Sequence, residues 1–160
     1  MLLVVILYSN NLVCDILEYI DQFLYTKITI EDLEHNFYFN RFYIMKLFKK
    51  EIGITIFDYI NKLRINNSIK EINDSNKLMI NVAFNNGFYS LEYFSEMFKK
   101  EVGISPKKYK SIINNKFLSY DKLYKVTSNI INIKNIIDYS EQYKRRRKPD
   151  TKPVKSLSIF

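Results

Sequence analysis

FKKEIGIT at Phe48–Thr55 returns as FKKEVGIS at Phe98–Ser105, fifty residues later. The correspondence continues on both sides. Tyr43 pairs with Tyr93, Leu47 with Met97 and Tyr59 with Tyr109 at the same offset. Further upstream the better offset is forty-nine, which sets Leu33 against Val82 and Phe37 against Asn86. One extra residue therefore enters the second unit ahead of its echo. Each unit reads as a short helix, a tight turn, a second helix and a glycine stop, Gly53 or Gly103, at the position where a left-handed residue ends a helix.

That order is the helix-turn-helix plan, in which a short helix braces a second whose polar face fits the major groove of DNA. The rest of the chain agrees with an all-α fold. It has three glycines, where average usage of about 7% gives roughly eleven, and no proline before Pro106. Leu12, Val13, Ile16, Leu17, Ile20, Phe23 and Leu24 recur at helical spacing. Thr29 with Asp32, and Thr55 with Asp58, have the form of capping boxes with Asp in place of Glu. Ser105-Pro106 offers a cap followed by proline at the first helical position. Seven helices are predicted, over about 11–24, 30–37, 41–51, 56–73, 78–86, 91–101 and 106–115, and no alternating strand pattern is present.

Composition narrows the function. The 160 residues carry 25 Lys+Arg and 17 Asp+Glu, unevenly placed. Residues 1–26 hold three acids and no base, 27–110 hold 14 bases and 10 acids, and 111–160 hold 11 bases and 4 acids. A basic surplus suits a polyanionic partner. The lone cysteine, Cys14, cannot form an internal disulfide, which fits a reducing, cytoplasmic setting. MLLVVILY at the start is too short to span a bilayer, and it lacks the basic region and cleavage site of a signal peptide. It is expected to be a buried edge, and no membrane partner is expected.

The segment GFYSLEYFSEMFKKEVGISPKKYK resembles the carboxy-terminal signature of the AraC/XylS family of bacterial transcription regulators. Gly87-Phe88, Tyr93-Phe94, Phe98-Lys99-Lys100, Gly103-Ile104-Ser105-Pro106 and Tyr109 stand where that pattern has them. ITIFDYINKLRINNSIKEI, with Tyr59, Leu63 and Arg64, is similar to the family's linker helix. The resemblance covers about 28–110 and implies two homeodomain-like helix-turn-helix subdomains joined by one long linker helix. It implies a sequence-specific regulator whose two recognition helices enter successive major grooves of double-stranded promoter DNA, with RNA polymerase as a further partner. Residues 1–27 are then an apolar segment with a first helix, and 111–160 a basic tail, partly helical or disordered.

By family position, Phe42, Met45 and Lys46 of the first unit approach base edges: Lys46 as a donor to guanine, the other two against thymine methyls. Asn40, Arg41 and Lys49 hold phosphates. Tyr43, Ile44, Leu47 and Phe48 form the inward stripe. In the second unit Leu91, Glu92, Ser95 and Glu96 face bases, with Ser90 and Lys99 on phosphates. Glu92 and Glu96 depart from the family's neutral or basic residues. They accept from cytosine or weaken the contact by repelling phosphate. Two departures mark the first turn. Glu34 stands where Ala83 does, which is costly between packed helices unless it reaches water. Tyr38 stands where Gly87 does, at a cost of about 1–2 kcal/mol if the residue is left-handed. The first turn is therefore expected to be distorted or its helices splayed.

Some 27 residues precede the first unit, too few for the sensing domain usual in the family, so the chain is expected to be either a compact regulator without a sensor or a fragment of a longer one, and no small-molecule effector is evident. After 115, Ile130, Ile131, Ile133, Ile136 and Ile137 have the spacing of one more amphipathic helix. KRRRK at Lys144–Lys148 reads as a flexible basic tail. Enzyme chemistry is disfavoured. His35 and Cys14 are the single His and Cys, too few for a Cys/His zinc site, and three scattered glycines leave no phosphate loop. Neither cofactor nor metal is expected. The alternative reading is a degenerate helix-turn-helix protein that binds another protein, suggested by Glu34, Tyr38, Glu92 and Glu96.

Overall fold

The computed structural model describes residues 2–72, 77–115 and 120–146. Among them are eight helices and no strand: α1 (Leu2–Phe23), α2 (Ile30–Phe37), α3 (Arg41–Ile52), α4 (Ile56–Ile72), α5 (Met79–Asn85), α6 (Leu91–Val102), α7 (Pro106–Asn115) and α8 (Tyr120–Arg145). Six of the seven predicted helices agree to within a residue at each end. The first does not: α1 begins at Leu2 rather than near residue 11, since nothing in the apolar start breaks a helix.

Two cores result. In the first, Leu12, Val13, Ile16, Leu17 and Ile20 of α1 meet Leu33 of α2 and Ile44, Leu47 and Phe48 of α3. Each such side chain stabilises the fold by about 1.5–3 kcal/mol. The second gathers Val82 and Ala83 of α5, Phe88, Phe94 and Phe98, and Val102 and Tyr109. Helix α4 serves both, giving Ile56, Tyr59, Ile60 and Leu63 to the first and Ile65 and Ile72 to the second.

Arg64 sits at the changeover. It is buried, and its Nε and Nη2 donate to the carbonyls of Leu24 (2.9 Å) and Thr26 (2.8 Å). Its guanidinium lies 5.9 Å from the centre of the Phe88 ring. One side chain thus ties the end of the α1 segment to the turn of the second unit. Burial lowers its pKa from the usual arginine value, and the nearby Tyr93 opposes that shift.

The expected helix through Ile130–Ile137 is part of α8, which spans both units. Val126, Ile133 and Ser140 are buried at seven-residue spacing, the interval at which one helix face returns. The first two join the second core, and Ile136, Ile137 and Tyr143 pack on the first. Polar bonds fix the register: Asn129 Nδ2 to the Val102 carbonyl (3.1 Å), Tyr139 to the Glu51 carbonyl (3.1 Å), and the Tyr59 and Ser140 hydroxyls to each other (2.6 Å). Burial pushes the Tyr59 phenol up to about 12, although its bond with Ser140 pulls the other way. Lys144, first residue of the basic run, lies in the helix and pairs with Asp21 and Glu141. Residues 147–148 of that run lie outside the described residues.

Candidate nucleic-acid interface

The two turns are built differently. In the first, the Thr29 capping box starts α2: Asp32 N–H donates to the Thr29 hydroxyl, and Asp32 Oδ2 accepts the Thr29 N–H at 2.7 Å. The Thr29 hydroxyl also donates to Oδ2 at 2.7 Å, and that bond, followed by the one from the Thr29 N–H, holds the Asp32 carboxyl below its usual range. Tyr38 ends α2 with φ 57° and ψ 28°, the one left-handed residue other than glycine among the described residues. Its side chain is 79% exposed. Asn40 then caps α3, its side-chain oxygen accepting from Phe42 N–H at 2.9 Å.

Glu34 resolves the cost expected of it. One carboxylate oxygen accepts the Arg41 backbone N–H at 2.7 Å, and the other meets the Arg41 guanidinium at 2.6 Å. The side chain, a quarter exposed, lies at the rim of the helix pair. It therefore caps α3 from α2, and Leu33 of α2 and Ile44 of α3 are buried in one core. The bonds from Arg41 hold the Glu34 carboxyl below its usual range. Glu31 adds a second carboxylate to Arg41 at 3.2 Å. Arg41, expected on a phosphate, is thus turned toward α2.

In the second unit Ser90 caps α6, its hydroxyl accepting the Tyr93 N–H at 3.1 Å. Gly87 is left-handed at φ 77°. The extra residue of this unit falls between the left-handed position and the cap: Phe39 matches Tyr89, and Phe88 is the insertion. Phe88 is buried, its ring 5.1 Å from that of Phe94. Both units stack the residue before the cap on the one after the first turn begins: Phe39 on Tyr43 (5.4 Å) and Tyr89 on Tyr93 (4.8 Å).

The outward faces also differ. On α3, Phe42 (76% exposed), Met45, Lys46 and Lys49 lie in one exposed row at three- and four-residue spacing. Neither lysine is in an ion pair among the described residues. Tyr43, expected inward, is 41% exposed, because its ring stacks on Phe39 outside the core. On α6, Glu92, Glu96 and Lys99 are exposed and Ser95 is half-buried. Leu91 packs partly against the second core. Lys100 pairs with Asp58 (3.1 Å) and Glu101 with Lys62, which binds α6 to α4. Asn61 adds a bond from its Nδ2 to the Tyr93 hydroxyl at 3.2 Å.

Sequence reasoning missed the cleft between the units, of about 580 Å³, lined in part by Tyr25, Lys27, Phe57, Arg64 and Tyr89. Its residues come from three separate segments, and the recurring ring pair was the signal available for Tyr89. No helix among the described residues is long and apolar enough to cross a membrane.

Two helix-turn-helix units on a shared long helix, each with an exposed second helix, define the bipartite class of helical DNA-binding domain. A family profile described as a helix-turn-helix domain matches residues 35–112. The transcriptional regulatory protein HptR of Staphylococcus aureus is 38% identical over 63 residues, 39% of this chain and 25% of that protein. The chain thus matches about a quarter of the length of these curated relatives. A Listeria innocua protein of unknown function superposes with TM-score 0.58 at 30% identity, covering 61% of this chain and 93% of the other. The DNA-binding domain of the global transcriptional factor AdpA, solved with a target DNA, has TM-score 0.60 at 18% identity over 65% of this chain and 94% of its own. Residues 35–112 thus form an AraC-type helix-turn-helix domain. That fold and family are those of DNA-binding regulators, not enzymes.

Proposed function

We propose that the chain is a cytoplasmic transcription regulator that binds double-stranded promoter DNA in a sequence-selective way, with α3 as its principal reading helix. The observation that carries this is the exposed row Phe42–Met45–Lys46–Lys49, which joins two cations in no ion pair among the described residues to two apolar side chains. Such a row suits a major groove: lysine donates to guanine, and the apolar groups meet thymine methyls. Asn40 keeps its side-chain NH₂ for a phosphate while its oxygen caps the helix. Arg41 reaches a phosphate by leaving Glu31 and Glu34. Helix α6 enters the next groove through Glu92, Ser95 and Glu96, with Ser90 and Lys99 at the backbone and Leu91 at its edge. Two carboxylates make its contribution the smaller. HptR's name as a transcriptional regulator and the DNA bound to AdpA support the reading. By occupying a promoter, the protein favours or blocks RNA polymerase.

Fluorescence anisotropy on pooled duplexes at two salt concentrations tests it. Wild type should bind selectively and more weakly as salt rises, and Lys46→Ala should weaken binding. Absence of binding at low salt would refute the proposal.

A further inference from the structure

The cleft between the units lies on the α4 row Phe57, Ile60, Asn61 and Arg64, which form one helical face. One wall is the segment before α2, with Tyr25 and Lys27. The other is the turn into α6, with Tyr89 and Tyr93.

Its orientation follows from α8. Tyr59 lies roughly 200° around α4 from Phe57, at about 100° per residue, so it faces away from the cleft. Tyr59 is the residue bonded to Ser140 of α8. Helix α8 also holds the Glu51 and Val102 carbonyls, at the last turns of α3 and α6. It therefore closes the side of the junction where both recognition helices end. The cleft opens on the other side, where α6 begins.

Its charge is one-sided. Among the described residues, Lys27 and Arg64 are the charged ones lining it, and no carboxylate does. Lys27 is exposed and in no ion pair among the described residues. Asp32, whose carboxyl feels the Lys27 charge, is engaged in the Thr29 box. Arg64 donates to two neutral carbonyls, so no carboxylate cancels its charge. Tyr25 and Tyr89 add exposed rings.

We propose that this cleft holds the sugar–phosphate backbone running between the two grooves, with Lys27 on a phosphate and the Tyr25 and Tyr89 rings against deoxyribose. The inference rests on the DNA-binding function above. Helices placed in successive grooves, about 34 Å apart, leave a stretch of backbone opposite the junction. A positive, aromatic-walled cleft on that side matches it. Such a contact adds affinity without base preference.

The test measures affinity against salt for the full chain and for Lys27→Ala, Lys27→Arg and Lys70→Ala. Lys70 is an exposed lysine of α4 on the face away from the cleft. Loss of one phosphate contact should reduce the slope of log affinity on log salt by about 0.9. For Lys27→Ala the fall in affinity between 50 and 200 mM salt should shrink about threefold, equally for every duplex. Lys27→Arg should restore the slope, and Lys70→Ala should leave it unchanged. A wild-type slope in Lys27→Ala, or an equal loss in Lys70→Ala, overturns the proposal while wild-type binding preserves the DNA function. No wild-type binding overturns both.

Discussion

In the first unit Tyr38 takes the left-handed position and the cap Asn40 follows two residues later. In the second the position is Gly87, and Phe88 is inserted before Tyr89 and the cap Ser90. A Cβ on Gly87 would lie 2.9 Å from the Leu24 carbonyl oxygen and 3.0 Å from the Tyr25 Cα. Tyr38 is solvated and meets no such limit. Between the helices, buried Ala83 is answered by Glu34, which bonds Arg41 instead of packing. The same plan is therefore closed by apolar contact in one unit and by a polar latch in the other. The exposed faces diverge in parallel, cationic on α3 and carboxylate-bearing on α6. Under the function proposed above, the second unit would serve as the braced scaffold and the first as the reader.

The largest test of that contrast is Phe88→Ala. Removing a buried aromatic should cost about 3–5 kcal/mol in urea unfolding, whereas Phe39→Ala, at the solvated turn, should cost under about 1 kcal/mol. Equal losses would break the comparison. Next, Gly87→Ala should destabilise by at least about 1–2 kcal/mol, from its left-handed backbone alone, with the contacts to Leu24 and Tyr25 added. Tyr38→Gly should stabilise by up to about 1 kcal/mol, since relief of that strain exceeds glycine's entropy cost of about 0.5–1 kcal/mol.

Glu92→Gln with Glu96→Gln should raise DNA affinity at low salt by roughly threefold per charge, an advantage that shrinks as salt rises. A loss of affinity would instead mean that these carboxylates accept from bases. The smallest effect concerns acid. The Glu34 carboxyl is held below its usual range by Arg41, so its stabilisation is complete above the unfolded value and disappears as pH falls through the folded one. Amide exchange at the start of α3 should quicken over that interval. In Glu34→Gln this portion of the pH dependence should vanish.

Much of this was legible in the residues. The echo at Phe48 and Phe98, the Thr29 box and the glycine stops are local signals, and the helices they predict are present. The change of offset from forty-nine to fifty placed one extra residue in the second unit ahead of its echo, and in the structure that residue is Phe88. Long-range partnerships were not legible. Glu34 read as a buried liability because its partner, Arg41, is set by how α2 and α3 face each other. Tyr43 read as core because helical spacing alone does not register a ring stacked on Phe39 outside the helix. The brace by α8 rests on Val126, Ile133 and Ser140, where a serine interrupts the apolar pattern and finds Tyr59, 81 positions away.

The most direct measurement is selection of binding sites from random duplexes by wild type, Lys46→Ala and Glu96→Ala. Reading by α3 predicts that Lys46→Ala loses about 1–3 kcal/mol of base discrimination within one groove, while Glu96→Ala keeps the wild-type preferences. Unchanged preferences in Lys46→Ala, with loss in Glu96→Ala, would contradict the assignment of reader and scaffold.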